Sequence, residues 1–227
     1  MGTLAISSLV ACLLLAEPPA AAYDKAVSQL AQDRATLAAS YRAAKPAKAH
    51  AEVLAQARAR LLEAIDRDLI PAWLGTPWEF YGDSERPREG AIACGYFVTT
   101  VLRDAGLKVE RVLLAQQASE YIVKTLTPEQ RIFRLRNVTR AQVVEAARKK
   151  GDGLYVVGLD LHVGFLRLSG EDARFCHSSY LGTRAVVCEK AEDAPAMASG
   201  YYVLGDALGD LRILDWLQQT PIRLRTR

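Results

Sequence analysis

Apolar residues recur at helical spacing in the first third of the chain. Between residues 23 and 70 the sequence is rich in Ala, Arg, Lys and Gln, contains no Gly and is interrupted at Pro46. The apolar positions after Pro46 are spaced by three, four and seven, at Leu54, Leu61, Leu62, Ile65 and Leu69. Those before it form a weaker stripe at Val27, Leu30, Leu37 and Tyr41. We predict two amphipathic helices, forming a hairpin that packs on the main domain. An arm that binds a partner or spaces the protein from the cell wall is the alternative.

The period of the pattern changes along the rest of the chain. Helical spacing predicts a helix over 94–105, ended by Gly106, and another over 116–126. Thr127–Gln130 and Thr139–Gln142 both fit the capping box that opens a helix. After Gly153, short β-branched or aromatic segments are separated by Gly, Asp or Pro. These segments are Leu154–Val157, Leu161–Leu168, Ala173–Tyr180, Arg184–Glu189 and Tyr201–Gly205. Helices followed by about five strands predict an α+β domain with a mostly antiparallel sheet over residues 71–227.

The N-terminus has the features of an export signal. An almost uncharged apolar run over residues 4–16 is followed by Pro18, Pro19 and an Ala-x-Ala site ending at Ala22. We therefore predict a signal peptide over residues 1–22 and an exported protein, in the periplasm or cell envelope. A second interpretation takes Leu9-Val10-Ala11-Cys12 as a lipoprotein box with a lipid anchor at Cys12. A retained membrane anchor or a buried helix is the third.

Composition and charge exclude several classes. The 227 residues are 50% hydrophobic and 24% charged, which is typical of globular proteins and excludes wholesale disorder. The net charge of +3 is small, and its basic residues form no stripe, so we expect no nucleic-acid partner. The histidines and cysteines lack acidic ligands at metal spacing, and no Gly-rich phosphate loop is present. We therefore predict no metal and no cofactor.

Cys94 is the candidate nucleophile. It opens the predicted helix 94–105, where the positive end of the helix and unpaired N–H groups favour a thiolate. The same N–H groups can hold a developing oxyanion. A buried structural cysteine is the alternative.

Two of the three histidines fall on neighbouring predicted strands. His162 precedes Val163-Gly164, and His177 follows Cys176. If these strands pair antiparallel, both rings can project from one face. His162 can then act as the base for a thiol, and His177 can orient it. The alternative for each histidine is a hydrogen-bonded structural residue.

The remaining cysteines suggest a disulfide. Cys176 and Cys188 lie six positions before and six positions after Gly182, so a hairpin turning there places them opposite each other. In an oxidising compartment this pair would be bridged and Cys94 would stay free. Two reduced, buried cysteines are the alternative.

Residues 74–180 resemble the NlpC-type, papain-like cell-wall peptidases. The likeness rests on an ordered series of motifs. They are Gly75-Thr76-Pro77-Trp78, Ala93-Cys94-Gly95-Tyr96, Gly151-Asp152-Gly153-Leu154, His162-Val163-Gly164-Phe165 and Phe175-Cys176-His177-Ser178-Ser179. The resemblance implies a papain-like core with Cys94 as nucleophile, His162 as base and His177 as third residue. The family's loop tyrosine, which assists at the oxyanion site, falls on Trp78, and Tyr81 is the candidate to replace it.

This resemblance implies an exported cysteine hydrolase that cleaves amide bonds, with peptidoglycan stem peptides as substrate. Two departures bear on the substrate: the family's Asp before the cysteine is Ala93, and its Ser after the cysteine is missing. The first alternative is an amidase, transpeptidase or acyltransferase with another substrate. The second is a wall-binding protein with a decayed site.

Overall fold

The computed structural model of the protein describes residues 19–226. Most of the predicted signal peptide and the Cys12 lipid site lie outside the described residues. Helix α1 (Pro19–Ala43) begins ahead of the predicted cleavage point and runs to the break at Pro46. Among residues 19–226, no helix combines the length and apolar character needed to cross a bilayer.

The predicted hairpin forms, and its second arm is longer than expected. Helix α2 (Ala47–Ala64) continues through a π-helical turn (Ile65–Leu69) into helix α3 (Ile70–Trp73). Pro46 separates α1 from α2 because it lacks a backbone N–H and disfavours helical geometry at Lys45. The arm therefore ends at Trp73, three residues beyond the predicted end of the hairpin at residue 70.

The remaining helices surround one sheet. Helices α4 (Cys94–Asp104), α5 (Arg111–Ala115), α6 (Ser119–Leu126), α7 (Arg140–Arg148) and α8 (Asp210–Gln218) follow in chain order. The strands are β1 (Phe133–Arg136), β2 (Gly153–Leu159), β3 (Val163–Ser169), β4 (Asp172–Ser178), β5 (Val186–Lys190) and β6 (Tyr201–Asp206). They pair antiparallel in the order β1-β6-β2-β3-β4-β5. The predicted α+β class is confirmed.

One predicted helix start is wrong, and a strand was missed there. Thr127–Gln130 opens only a 3₁₀ turn (Glu129–Arg131), which leads into β1. Thr127 does not cap a helix: it is buried, and its hydroxyl donates to the Asp206 carbonyl at 3.2 Å. The second box does form, since the Thr139 hydroxyl accepts from the Gln142 N–H while the Gln142 side chain accepts from the Thr139 N–H. The sheet thus has six strands where about five were predicted.

Two hydrophobic cores cover the two faces of the sheet. One core joins the N-terminal helices, α4 and the sheet through Trp73, Phe97 and Phe165, whose rings meet edge to face. All three side chains are fully buried, and burial of each stabilises the fold by about 3 kcal/mol. The second core packs α7 against the opposite face. The N-terminal hairpin therefore shares its core with the domain that carries the candidate site.

The predicted disulfide is present. Cys176 and Cys188 are register partners in β4 and β5, bonded to each other with Cα atoms 4.0 Å apart. Among the described residues, Cys94 is the free cysteine. A disulfide of this kind is consistent with an oxidising, extracellular compartment.

Candidate active site

Cys94 is the first residue of α4, and the preceding loop holds it there. The Ala93 N–H donates to the Gly82 carbonyl at 2.7 Å, tying the start of the helix to residues 77–83. Backbone N–H groups of Val163, Gly95 and Cys94 itself surround the thiol. These groups favour the thiolate, but burial outweighs them and raises the pKa of Cys94. The resting thiol is therefore neutral, in contrast to the thiolate that its position in the sequence suggests.

His162 sits beside the turn between β2 and β3. The Leu159 N–H donates to the His162 carbonyl at 2.8 Å, which closes a two-residue hairpin turn at Asp160-Leu161. The predicted strand start at Leu161 is therefore two residues early, and Leu161 is 89% exposed. The His162 side chain is 3% exposed, at the end of the sheet where the Val163 N–H meets the Cys94 thiol.

His162, His177 and Glu189 form a chain of contacts. His162 Nε2 lies 2.7 Å from His177 Nδ1, and His177 Nε2 lies 3.1 Å from Glu189 Oε1. His177 is fully buried on β4, whereas the Glu189 side chain, on the edge strand β5, is 34% exposed. The sequence pattern identified both histidines but missed Glu189, because its partner depends on how β4 and β5 are paired.

Both imidazoles are neutral near neutral pH. Burial lowers the pKa of His162 to about 3, with a smaller contribution from the nearby His177. Burial lowers the pKa of His177 to about 4. A neutral His162 has one unprotonated ring nitrogen, which is the form that a general base requires.

Gly164 makes room for the histidine pair. A Cβ at this position would lie 2.7 Å from the Phe175 ring and 2.8 Å from the Cβ of His177. The His177 ring stacks on Phe175 with 4.4 Å between ring centroids. Packing therefore requires glycine at position 164, because a larger residue would collide with Phe175 and His177.

His162 lines two clefts. One, of about 380 Å³, is lined by Cys94, His162 and residues between 115 and 122. The other, of about 430 Å³, is lined by His162, Tyr180 and residues between 196 and 200. Cys94 and His162 thus face a common cleft. They are not hydrogen-bonded to each other, since His162 Nδ1 is buried and has no hydrogen-bond partner within residues 19–226.

The two aromatic candidates for the oxyanion site, Trp78 and Tyr81, differ in how they are connected to His162. Tyr81 is 88% exposed, packs on Phe80, and lines neither cleft. The Trp78 ring contacts Tyr180, whose ring in turn contacts His162 with centroids 5.2 Å apart. Tyr180, two residues after β4, is therefore the tyrosine whose ring contacts the imidazole, and its position in the sequence gave no sign of this contact.

A larger cavity lies away from the cysteine. It measures about 520 Å³ and is lined by Arg58, Arg131, Lys150 and Asp206 among others, but by no cysteine or histidine. Within residues 19–226, no cluster of three or more His, Cys, Asp or Glu side chains is arranged to hold a metal ion. The smaller cleft is the candidate active site because Cys94 and His162, a thiol and a neutral imidazole, both line it.

Comparisons with protein-family models, curated proteins and solved structures found no match to this chain. The class of the site therefore rests on its own geometry: Cys94, at a helix N-terminus, shares a cleft with His162, whose ring contacts the buried His177.

Proposed function

We propose that the protein is an exported cysteine hydrolase with a papain-like core, which cleaves an amide bond in peptidoglycan stem peptides. The observation that carries the proposal is that Cys94 and His162 line one cleft, and that His162 Nδ1 has no hydrogen-bond partner among the described residues. His177 continues the arrangement on the far side of the His162 ring. The order of Cys94, His162 and His177 along the chain is that of the NlpC-type motifs.

The reaction begins from neutral groups. As the Cys94 sulfur attacks the scissile carbonyl carbon, the thiol proton passes to His162 Nδ1. The carbonyl oxygen becomes an oxyanion, held by backbone N–H groups at the start of α4, which have no partners within the helix. His162 then donates the proton to the leaving amine as the C–N bond breaks. Water, deprotonated by His162, hydrolyses the thioester and restores the thiol.

The cleft favours a substrate that carries a positive group. Glu120 and Asp160 line it, and no lysine or arginine does. Ser199 and the Gly200 N–H hold the Asp160 carboxylate and lower its pKa, so Asp160 is ionised at neutral pH. Stem peptides contain free amines, and Asp160 is the carboxylate free to attract them, because Arg134 already pairs with Glu120 at 2.9 Å. The Cys176–Cys188 disulfide supports placement in the periplasm or cell envelope.

Incubation of the purified protein with purified peptidoglycan fragments tests the proposal. Mass spectrometry of the products should show one amide bond cleaved by the wild type, and no cleavage by Cys94→Ala. Transfer of the acyl group to an added amine, in place of water, would indicate a transpeptidase or acyltransferase at the same site. Cleavage that survives Cys94→Ala would overturn the mechanism.

A wall-binding protein with an inactive site is the second candidate. It is favoured by the raised pKa of Cys94 and by the missing hydrogen bond between the thiol and His162. This candidate predicts binding to sacculi by wild type and Cys94→Ala alike, with no released products. It also predicts that Cys94 is alkylated no faster by iodoacetamide when peptidoglycan fragments are added.

A further inference from the structure

Glu189 stands at the outer end of the histidine pair, where the proposed reaction assigns it no role. We propose that Glu189 is a positioning residue, which sets the tautomers of both histidines so that His162 Nδ1 carries no proton. The proposal deepens the proposed function and rests on it for its catalytic consequence. The hydrogen-bond geometry on which it stands is independent of any activity.

Glu189, at the end of the hydrogen-bond series His162–His177–Glu189, determines which atom donates in each hydrogen bond. An ionised Glu189 carboxylate has no proton to give, so it accepts from His177 Nε2–H across the 3.1 Å contact. A neutral His177 then has a lone pair at Nδ1, which accepts from His162 Nε2–H across 2.7 Å. A neutral His162 is thereby left with its lone pair at Nδ1. That atom is buried and has no hydrogen-bond partner among the described residues, and it belongs to a residue that lines the Cys94 cleft.

Without an acceptor at position 189, neither histidine is fixed as the donor in the hydrogen bond between the two rings. The reverse arrangement keeps the 2.7 Å contact but makes His177 Nδ1 the donor and His162 Nε2 the acceptor. The one proton of His162 would then lie on Nδ1, where it blocks acceptance of the thiol proton. Glu189 therefore selects the productive arrangement of two otherwise equivalent ones, and its charge stabilises the imidazolium that forms during attack.

The fold should tolerate removal of the carboxylate. Glu189 lies on an edge strand with 34% of its side chain exposed, and the Cys176–Cys188 disulfide, one residue away, holds β4 and β5 in register. Glu192 offers a matched control. It has 31% side-chain exposure, and its carboxylate pairs with Lys190 on the surface.

Nitrogen-15 NMR of histidine-labelled protein tests the proposal directly, because ring nitrogen shifts distinguish protonated from unprotonated atoms. In the wild type and in Glu192→Ala, we expect His162 and His177 both to carry the proton at Nε2. In Glu189→Ala, a population of His162 protonated at Nδ1 should appear. A wild-type His162 protonated at Nδ1, or tautomers unchanged in Glu189→Ala, would overturn the proposal.

Kinetics provide the catalytic readout. Glu189→Ala should lower kcat for amide cleavage by at least about tenfold with KM little changed, and Glu189→Asp should recover part of the loss. A loss confined to KM, or an equal loss in Glu192→Ala, would contradict a positioning role. If the wild type cleaves no amide, the proposed function fails, while the NMR result still decides whether Glu189 sets the tautomers.

Discussion

The two buried histidines should make the protein sensitive to mild acid. The pKa is about 3 for His162 and about 4 for His177 in the folded protein, against 6.5 for an unperturbed imidazole. As the pH falls below 6.5, the unfolded chain binds protons at both residues while the folded protein does not. The folded protein therefore has its full stability above pH 6.5, the pKa of histidine in the unfolded chain, and loses stability as the pH falls below that value.

The magnitude follows from these values. At about pH 5.5 most unfolded chains are protonated at each histidine, and the folded protein is not. Relative to about pH 7, each histidine then lowers the free energy of unfolding by about 1 kcal/mol, and the pair lowers it by about 2 kcal/mol. That is a large fraction of a typical stability of about 5–15 kcal/mol.

Urea unfolding of the wild type and of a His162→Asn, His177→Asn double variant at both pH values measures this effect. The free energy of unfolding should fall by about 2 kcal/mol between about pH 7 and about pH 5.5 in the wild type, and by less than about 1 kcal/mol in the double variant. A wild type whose unfolding free energy is the same at both pH values would refute the account of a neutral, desolvated pair.

Three further predictions concern neighbouring features. Gly95→Ala should stabilise α4 by about 1 kcal/mol through its higher helix propensity. It should destabilise the protein by more than that, because the added Cβ would collide with the Ala115 carbonyl oxygen. Thermal melting should show a lower Tm, and an unchanged or higher Tm would show that the backbone can give way. Asp160→Asn should raise KM for substrates with a free amine and leave kcat unchanged, and steady-state kinetics with amine-blocked fragments provide the control. Replacing Cys176 and Cys188 by Ser should cost about 3 kcal/mol by loop entropy, as measured by denaturant unfolding, and no loss would argue against a bridge in solution.

Features with a local physical cause were predictable from the sequence. Pro46 breaks the N-terminal hairpin, Thr139 and Gln142 cap α7, and the spacing of Cys176 and Cys188 about Gly182 places them in register. In each case, neighbours in sequence determine the outcome. The pairing of His162 with His177 was also suggested, because a short hairpin joins their strands.

Features that depend on tertiary contacts were not predictable. Thr127 resembles a helix cap but packs against Gly205, and so β1 was missed. The charge state of the Cys94 thiol depends on burial, which no local pattern reports. Glu189 and Tyr180 directly follow residues that the sequence singled out, but their contacts with the histidines depend on side-chain packing across β4 and β5 and after β4.

The central claim is that Cys94 becomes covalently acylated through proton transfer to His162. Mass spectrometry of acid-quenched mixtures of the protein with excess peptidoglycan fragments tests it most directly, first on the intact protein and then on its proteolytic peptides. We expect a thioester adduct on the peptide that contains Cys94 in the wild type, and none in Cys94→Ala or His162→Ala. Product release by Cys94→Ala, or an adduct located on any residue other than Cys94, would contradict the account.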